Sequence, residues 1–560
     1  MRIIRTCLPI LLFLSATIKG FPQSEPFSKR VVASAFNSAW EVVYGPNDSL
    51  WVTENRTWKV YRVDIATGTK TTVLDLRSGP GADATINFPT GSGTQPQGGM
   101  MGLALHPNLY SSDPAVREAK PWVYMAYVYE RNACPGTNTS CVFTTKIVRY
   151  DYLSNTLTNP VIVLDDIPGS SDHNSGRLVI GPTIEAGADA AHTQYRLYYT
   201  VGDMGAGQFL NTTRTNNALA VDVMEGKVLR INTESDGDAG LDAWVPNDNQ
   251  FFNASVITAQ DYVYSYGHRN AQGLVWGNVG GTDRLYSNEQ MDRTDDEVNI
   301  IEKGKSYGWD DVSGYCDDNV NGYKIGQTPS ADEDAYCSIT PDHREPIFTL
   351  FTTNAAGMPA LMAQSNNQLW PTVALSSIDF YGYNVIPGWN ASLVMTPLKK
   401  DFVYRIKLNA TGDAVTGDTI TYFRGDGNRI RRVTVAPDGL RFYVARDASA
   451  TSNGGTIMEY TYTGTTLALH DGPRNGPRIV RDLVKVYPNP VADIVFIRGL
   501  REMKKPVRAE IYDIMGQLRI TQVSSRNDFS LDLSSLKKGI YLLKLYNGNE
   551  QEVQVEKLIR

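Results

Sequence analysis

The chain has 560 residues, 42% hydrophobic and 20% charged, with a formal net charge of −7. An apolar share of this size closes a core and excludes general disorder, while the acidic balance and the lack of a basic stripe exclude nucleic acid as a partner. Five cysteines and six histidines exclude a zinc-finger array and leave few candidates for histidine chemistry.

Arg2 and Arg5 precede a short apolar run ending in small residues, so residues 1–23 read as a secretory signal peptide that carries Cys7 away. No later run approaches the roughly 20 apolar residues that a transmembrane helix needs. The expected mature protein is soluble outside the cytoplasm and has no transmembrane segment.

From residue 28 to 464 the sequence offers short β-rich runs and almost no 3.6-residue apolar period. One unit recurs: a Gly, Pro, Asn or Asp turn, then an aromatic and aliphatic strand ending in a carboxylate. GPNDSLWVTE ends this way at Glu54, YRLYYTVGD at Asp203, GGTDRLYSNE at Glu289 and PDGLRFYVARD at Asp447. The predicted class is all-β, a β-propeller whose roughly 430 residues hold about six blades with inserted loops. Residues 80–99 and 204–218 form loops longer than a turn requires, as at the mouth of a propeller site. The four remaining cysteines suggest local pairs, Cys134 with Cys141 and Cys316 with Cys337, although other pairings stay open.

GxGxxG after a strand, the P-loop, HExxH and GxSxG are missing, so the chemistry must come from polar clusters. Asp172 and His173 lie in a Ser- and Gly-rich loop before an apolar strand. An uncharged imidazole there can act as a general base if Asp203 holds its other nitrogen, or it can be a structural hydrogen-bonding group. His268, Arg269 and Asn270 precede another strand; Arg269 suits either an anionic ligand or a salt bridge closing a blade. Lys399 follows in TPLKK, then Arg429 and Arg431 in GNRIRR, whose strand alternation lets two guanidinium groups meet one anion or lie on a solvated face. The run from Asn288 to Gly322 is the richest in carboxylates. Asp317, Asn319, Asn321 and Gly322 match the first half of a calcium loop, but Thr328 replaces the closing Glu, so Glu297, Asp317 and backbone carbonyls are the candidate calcium ligands.

A polar linker, residues 465–483, precedes a tail of different composition. Residues 484–560 carry 13 Lys and Arg against 9 Asp and Glu, leaving 40 against 51 in the remainder. Short alternating strands predict a small antiparallel β-sandwich. The tail resembles the C-terminal sorting domain of type IX secretion substrates in Tyr487-Pro488-Asn489-Pro490, the Tyr512-Asp513 to Gly516 turn and Gly539-Ile540-Tyr541. This resemblance implies type IX secretion machinery as a partner and a secreted or cell-surface location.

The body carries, in order, QGGMMGLALHP, DHNSGRLVIGP, Gly202-Asp203, GHRNAQGL, DDEVN with KSYGW, WPTVALSS, LKK and NRIRR. Together these resemble the soluble sugar dehydrogenases dependent on pyrroloquinoline quinone (PQQ), the glucose/sorbosone dehydrogenase family of six-bladed propellers. The resemblance implies PQQ and Ca²⁺ as cofactors, a sugar substrate and an external electron acceptor. It makes His173 the base on the anomeric hydroxyl, Asp203 its orienting group and Arg269 the stabiliser of charge on the quinone. It places Asn270, Lys399, Arg429 and Arg431 on PQQ, and Gln97, Asp172, Gln208 and Trp370 on the sugar. The carbonyls of Met291 and Asp292, standing where the family has Gly-Pro, would hold the cofactor calcium. Glu297, the carbonyls of Tyr307 and Ser313, and Asp317 would hold a structural calcium, with the last acidic ligand unassigned around Asp332, Glu333 and Asp334. Asn367 in place of a tyrosine, and insertions at 183–192 and 210–220, separate this chain from the glucose-oxidising members. A calcium-dependent lactonase propeller and a non-catalytic binding propeller are the rival readings; Lys399, Arg429 and Arg431 speak against the first, and the retained His173, Asp203 and Arg269 against the second.

Overall fold

The computed structural model describes residues 27–88, 97–131, 142–182, 195–208, 211–237, 240–323, 332–425, 427, 429–447, 454–464, 485–487, 491, 493–498, 500, 505–513, 517–548 and 552–560. The expected signal peptide (residues 1–23), Cys134, Cys141, the 183–192 insertion and the expected linker (465–483) lie outside them. The chain divides into two compact units, Met1–Asn475 and Gly476–Arg560.

The described residues of the first unit form six four-stranded sheets, every strand pair antiparallel. Five are consecutive meanders beginning at Ala39–Gly45, Met100–Leu105, Leu178–Pro182, Ala271–Val279 and Leu375–Tyr381. The sixth joins the two ends of the unit: Phe27–Phe36 pairs with Gly455–Tyr462, which continues through Arg441–Asp447 to Arg429–Val435. Arg30 seals that join with two hydrogen bonds to Glu459, 2.8 and 2.9 Å.

The strand sequences explain their positions. Leading strands such as MMGLAL are buried throughout, whereas last strands such as Lys70–Asp75 and Val415–Tyr422 carry exposed Thr and Asp. The leading strands touch one another in a closed cycle, with Arg429–Val435 against Ala39–Gly45. Six apolar clusters fill the spaces between successive sheets. At the centre, buried Arg177 pairs with Glu41 and donates to the carbonyls of Gln272, 2.8 Å, and Ser376, 3.0 Å, while Arg432 holds the other oxygen of Glu41 at 2.8 Å. These bonds tie five of the six leading strands together.

In the second unit, a sheet of Lys485–Tyr487, Ile494–Arg498 and Phe529–Asp532 and another of Leu518–Ser524, Val507–Asp513, Ile540–Tyr546 and Glu552–Ile559 share one apolar cluster. Alternation makes the faces: Val495 and Ile497 are buried while Ile494 and Phe496 are exposed.

Candidate active site

Three loops converge where the strands end. His173 precedes Leu178–Pro182, Asp203 follows Tyr195–Val201 and Arg269 precedes Ala271–Val279. Gly202 permits the approach, since a Cβ there would lie 1.9 Å from the His173 carbonyl oxygen and 3.1 Å from that of Arg269. The Asp203 amide donates to the Arg269 carbonyl at 2.7 Å, fixing the third loop against the second.

His173 Nδ1 meets Asp203 Oδ1 at 2.7 Å, with His173 only 4% and Asp203 1% exposed. Asp203 also accepts from the Gly205 amide and from Trp309 Nε1, both at 2.9 Å. An ionised carboxylate only accepts, so the proton belongs on Nδ1 and the lone pair on Nε2. Nε2 lies 3.8 Å from Asp172 Oδ1, which accepts from Gln97 Nε2 at 2.6 Å. Gln97, Asp172, His173 and Asp203 thus form one array.

The Arg269 guanidinium donates to Gln208 and to the carbonyls of Gln290, 2.9 Å, and Met291, 3.0 Å; Asp292 Oδ1 lies at 3.6 Å. Asn270 bonds Gln290 at 3.0 Å and accepts from the Ser175 amide at 3.2 Å. Lys399 donates to the Asn367 carbonyl, 2.8 Å, and Thr372, 2.9 Å, and its charge lies near Trp370. Burial lowers the Lys399 pKa while Asp296 opposes that shift.

Arg431 is buried and donates to Gln272 at 3.0 Å. A β-bulge at Arg431 breaks the simple alternation expected of NRIRR, and Arg429 is exposed. Their charges still interact: burial first, then Arg429, push the Arg431 guanidinium down to about 9. Arg56, which the sequence reading missed, adds a further positive charge to this group. Arg431 Nε and Gln208 Nε2 are buried without a hydrogen-bond partner in the described residues. Concentrated cations and orphaned donors suit an anionic ligand rich in acceptors.

A second buried centre gathers acids. The consecutive amides of Ser313 and Gly314 donate to Glu333, 3.1 Å, and Glu297, 2.9 Å, and Asn319 reaches Asp295 at 3.4 Å. Burial pushes Asp295 up to about 6 and Glu333 up to about 7; burial and neighbouring Glu289 raise Glu297 well above the usual carboxylate range. Ser313 Oγ and Asn319 Oδ1 have no hydrogen-bond partner in the described residues. Crowded carboxylates beside spare oxygens are the donor set of a hard cation. Asp317 is exposed at its edge, and Glu333 is the inward acid that sequence reasoning left unassigned. Tyr307 stacks on His268 with centroids 4.6 Å apart. Cys316 and Cys337 form a disulfide that closes a loop containing Asp317, Asn319 and Glu333. Trp309 and Gln272 were within quoted motifs, but only their spatial contacts reveal their support of Asp203 and Arg431.

The sequence pattern of glucose/sorbosone dehydrogenases matches residues 36–341 and 352–457. The chain belongs to this family. Quinoprotein glucose dehydrogenase B of Acinetobacter calcoaceticus is 30% identical over 490 residues, 79% of this chain and 92% of that relative. The family fold is also seen in two solved structures. The apo-form of the soluble aldose sugar dehydrogenase from Escherichia coli has a TM-score of 0.54 at 22% identity, over 78% of this chain and 100% of that one. The PQQ-bound aldose sugar dehydrogenase from Streptomyces coelicolor has a TM-score of 0.50 at 23% identity, over 78% and 99%. Residues 485–560 match a secretion system C-terminal sorting domain. No helix of the described residues is long and apolar enough to cross a membrane.

Proposed function

We propose that this chain is an exported PQQ- and calcium-dependent oxidoreductase that oxidises the anomeric carbon of an aldose or oligosaccharide to a lactone. The observation that carries the reading is the buried His173–Asp203 pair, 2.7 Å apart, beside Arg269 and a group of cations in which Arg431 Nε has no hydrogen-bond partner among the described residues. His173 Nε2 takes the proton of the anomeric hydroxyl, and Asp203 steadies the imidazolium that results. PQQ with calcium supplies the polarised carbonyl that accepts hydride. Asn270, Lys399, Arg429 and Arg431 would hold its carboxylates and quinone oxygens, and Arg269 would supply positive charge beside them.

Gln97, Asp172, Gln208 and Trp370 orient the sugar. The carbonyls of Met291 and Asp292 would hold the cofactor calcium; Glu297, Asp317, the carbonyls of Tyr307 and Ser313, and now Glu333 would hold a structural one. We read the closed cycle of sheets as a six-bladed propeller over residues 28–464, joined by a linker, 465–483, to a tail sandwich, 484–560, addressed to the type IX machinery. The reading requires an external electron acceptor.

Metal-free protein reconstituted with PQQ and Ca²⁺ should reduce an artificial dye with at least one aldose in a panel. Failure across the panel despite bound PQQ would reject the reading. Lactone hydrolysis without quinone would favour the lactonase rival.

A further inference from the structure

Behind Arg269 and Asn270 lies a chain of buried polar groups with no assigned task. Ser265 Oγ meets His268 Nε2 at 2.9 Å, and His268 Nδ1 meets Glu289 Oε2 at 3.0 Å. The other oxygen of Glu289 accepts the amide protons of Arg269 and, at 3.1 Å, Asn270. All three side chains are shielded from solvent, with Ser265 and His268 at 0% exposure and Glu289 at 1%.

A Ser–His–acid sequence suggests a nucleophile, but no substrate reaches a fully buried hydroxyl. Ser265 also lies within the strand Val263–Tyr266, paired to Val228. The direction of the bonds indicates another role. Glu289 only accepts, so His268 Nδ1 donates to it and Nε2 receives the Ser265 hydroxyl proton. Both oxygens of the carboxylate are then committed, one to the histidine and one to the backbone of the two residues that face the ligand.

Glu289 closes its strand, paired across the sheet with Ala271 on one side and Glu297 on the other. The two residues after it accept from the Arg269 guanidinium through their carbonyls, at 2.9 and 3.0 Å. Residues 289–291 therefore grip Arg269 at its amide and at its guanidinium. The His268 ring is held in turn by its stack on Tyr307.

We propose that Ser265, His268 and Glu289 form a positioning relay that fixes Arg269 and Asn270 in the orientation the reaction uses. The proposal rests on the dehydrogenase reading for its kinetic consequence, but not for its structural one. It is tested by hydrogen exchange of the Arg269 and Asn270 amides in cofactor-free protein, and by PQQ affinity and kcat in calcium-loaded protein. His268→Ala should speed exchange of those two amides by about tenfold or more and, as for other supporting-residue losses, lower kcat by about 10–100-fold with sugar KM within about twofold. Glu289→Gln, which keeps an oxygen for the two amides, should retain most of their protection and more kcat than His268→Ala. Should His268→Ala fail to fold, Ser265→Ala reads the same relay, with a smaller kcat loss and faster amide exchange at an unchanged melting temperature. Unchanged exchange, or a lowered melting temperature with kcat and PQQ affinity as in the wild type, would overturn the relay. Wild-type protein that protects both amides yet reduces no dye would reject the dehydrogenase reading and leave the relay standing.

Discussion

His173–Asp203 and the Asp295–Glu297–Glu333 group are both buried, yet their electrostatics differ. Both oxygens of Asp203 are satisfied, by His173, Gly205 and Trp309. In the second group Asp295 repels both Glu297 and Glu333, a few amides and threonine hydroxyls donate to the three acids, and burial raises the pKa of each. The proposed base must hold its tautomer and direction before substrate arrives, and the protein supplies every partner of Asp203 itself. A cation site keeps repelling acids together because the ion completes them. The first centre is preorganised, and the second carries uncompensated acid groups.

The strongest way to break this contrast is His173→Ala, which should lower kcat by about 10²–10⁴-fold while PQQ affinity is kept; unchanged turnover would remove His173 from the chemistry. The second centre is tested by pH. Asp295 and Glu333 have native pKa values, about 6 and about 7, above their ordinary values of 3.8 and 4.5. Between about pH 4 and 7 the native state therefore binds more protons than the unfolded state, so stability of the calcium-free protein falls as pH rises, by up to about 1.4 kcal/mol per pH unit per group. Denaturant titrations at several pH values should show that slope without calcium and its loss with calcium. A smaller effect is expected of Trp309→Phe, which removes one donor from Asp203 and should lower kcat about tenfold at an unchanged sugar KM. Arg429→Ala should weaken PQQ binding only a few-fold, since the side chain is exposed and screened by solvent; a loss as large as that from Arg431→Ala would move Arg429 into the cradle proper.

Much of the first centre was legible because its members sit in short contiguous motifs: the DHN of Asp172 to Asn174, Gly202-Asp203 and the GHRN of Gly267 to Asn270. A strand ending in a carboxylate was also a sound sign of β-structure, since Glu54, Glu289 and Asp447 each close a strand. Trp309 was illegible as a partner of Asp203 because 106 residues separate them and only the closure of the sheets makes them neighbours. The bulge at Arg431 escaped a period-2 argument, as bulges do. Glu333 was hidden by its company: in sequence Asp332, Glu333 and Asp334 look alike, and only the short helix Glu333–Ile339, capped by Asp332, turns Glu333 inward.

The most direct test of the account is a single turnover without an electron acceptor. Calcium-loaded protein carrying one equivalent of PQQ, mixed anaerobically with an aldose it oxidises, should reduce the quinone and form one equivalent of lactone, at a rate that falls when His173 is replaced by Ala. Quinone that stays oxidised while sugar is bound, or lactone formation independent of quinone reduction, would contradict it.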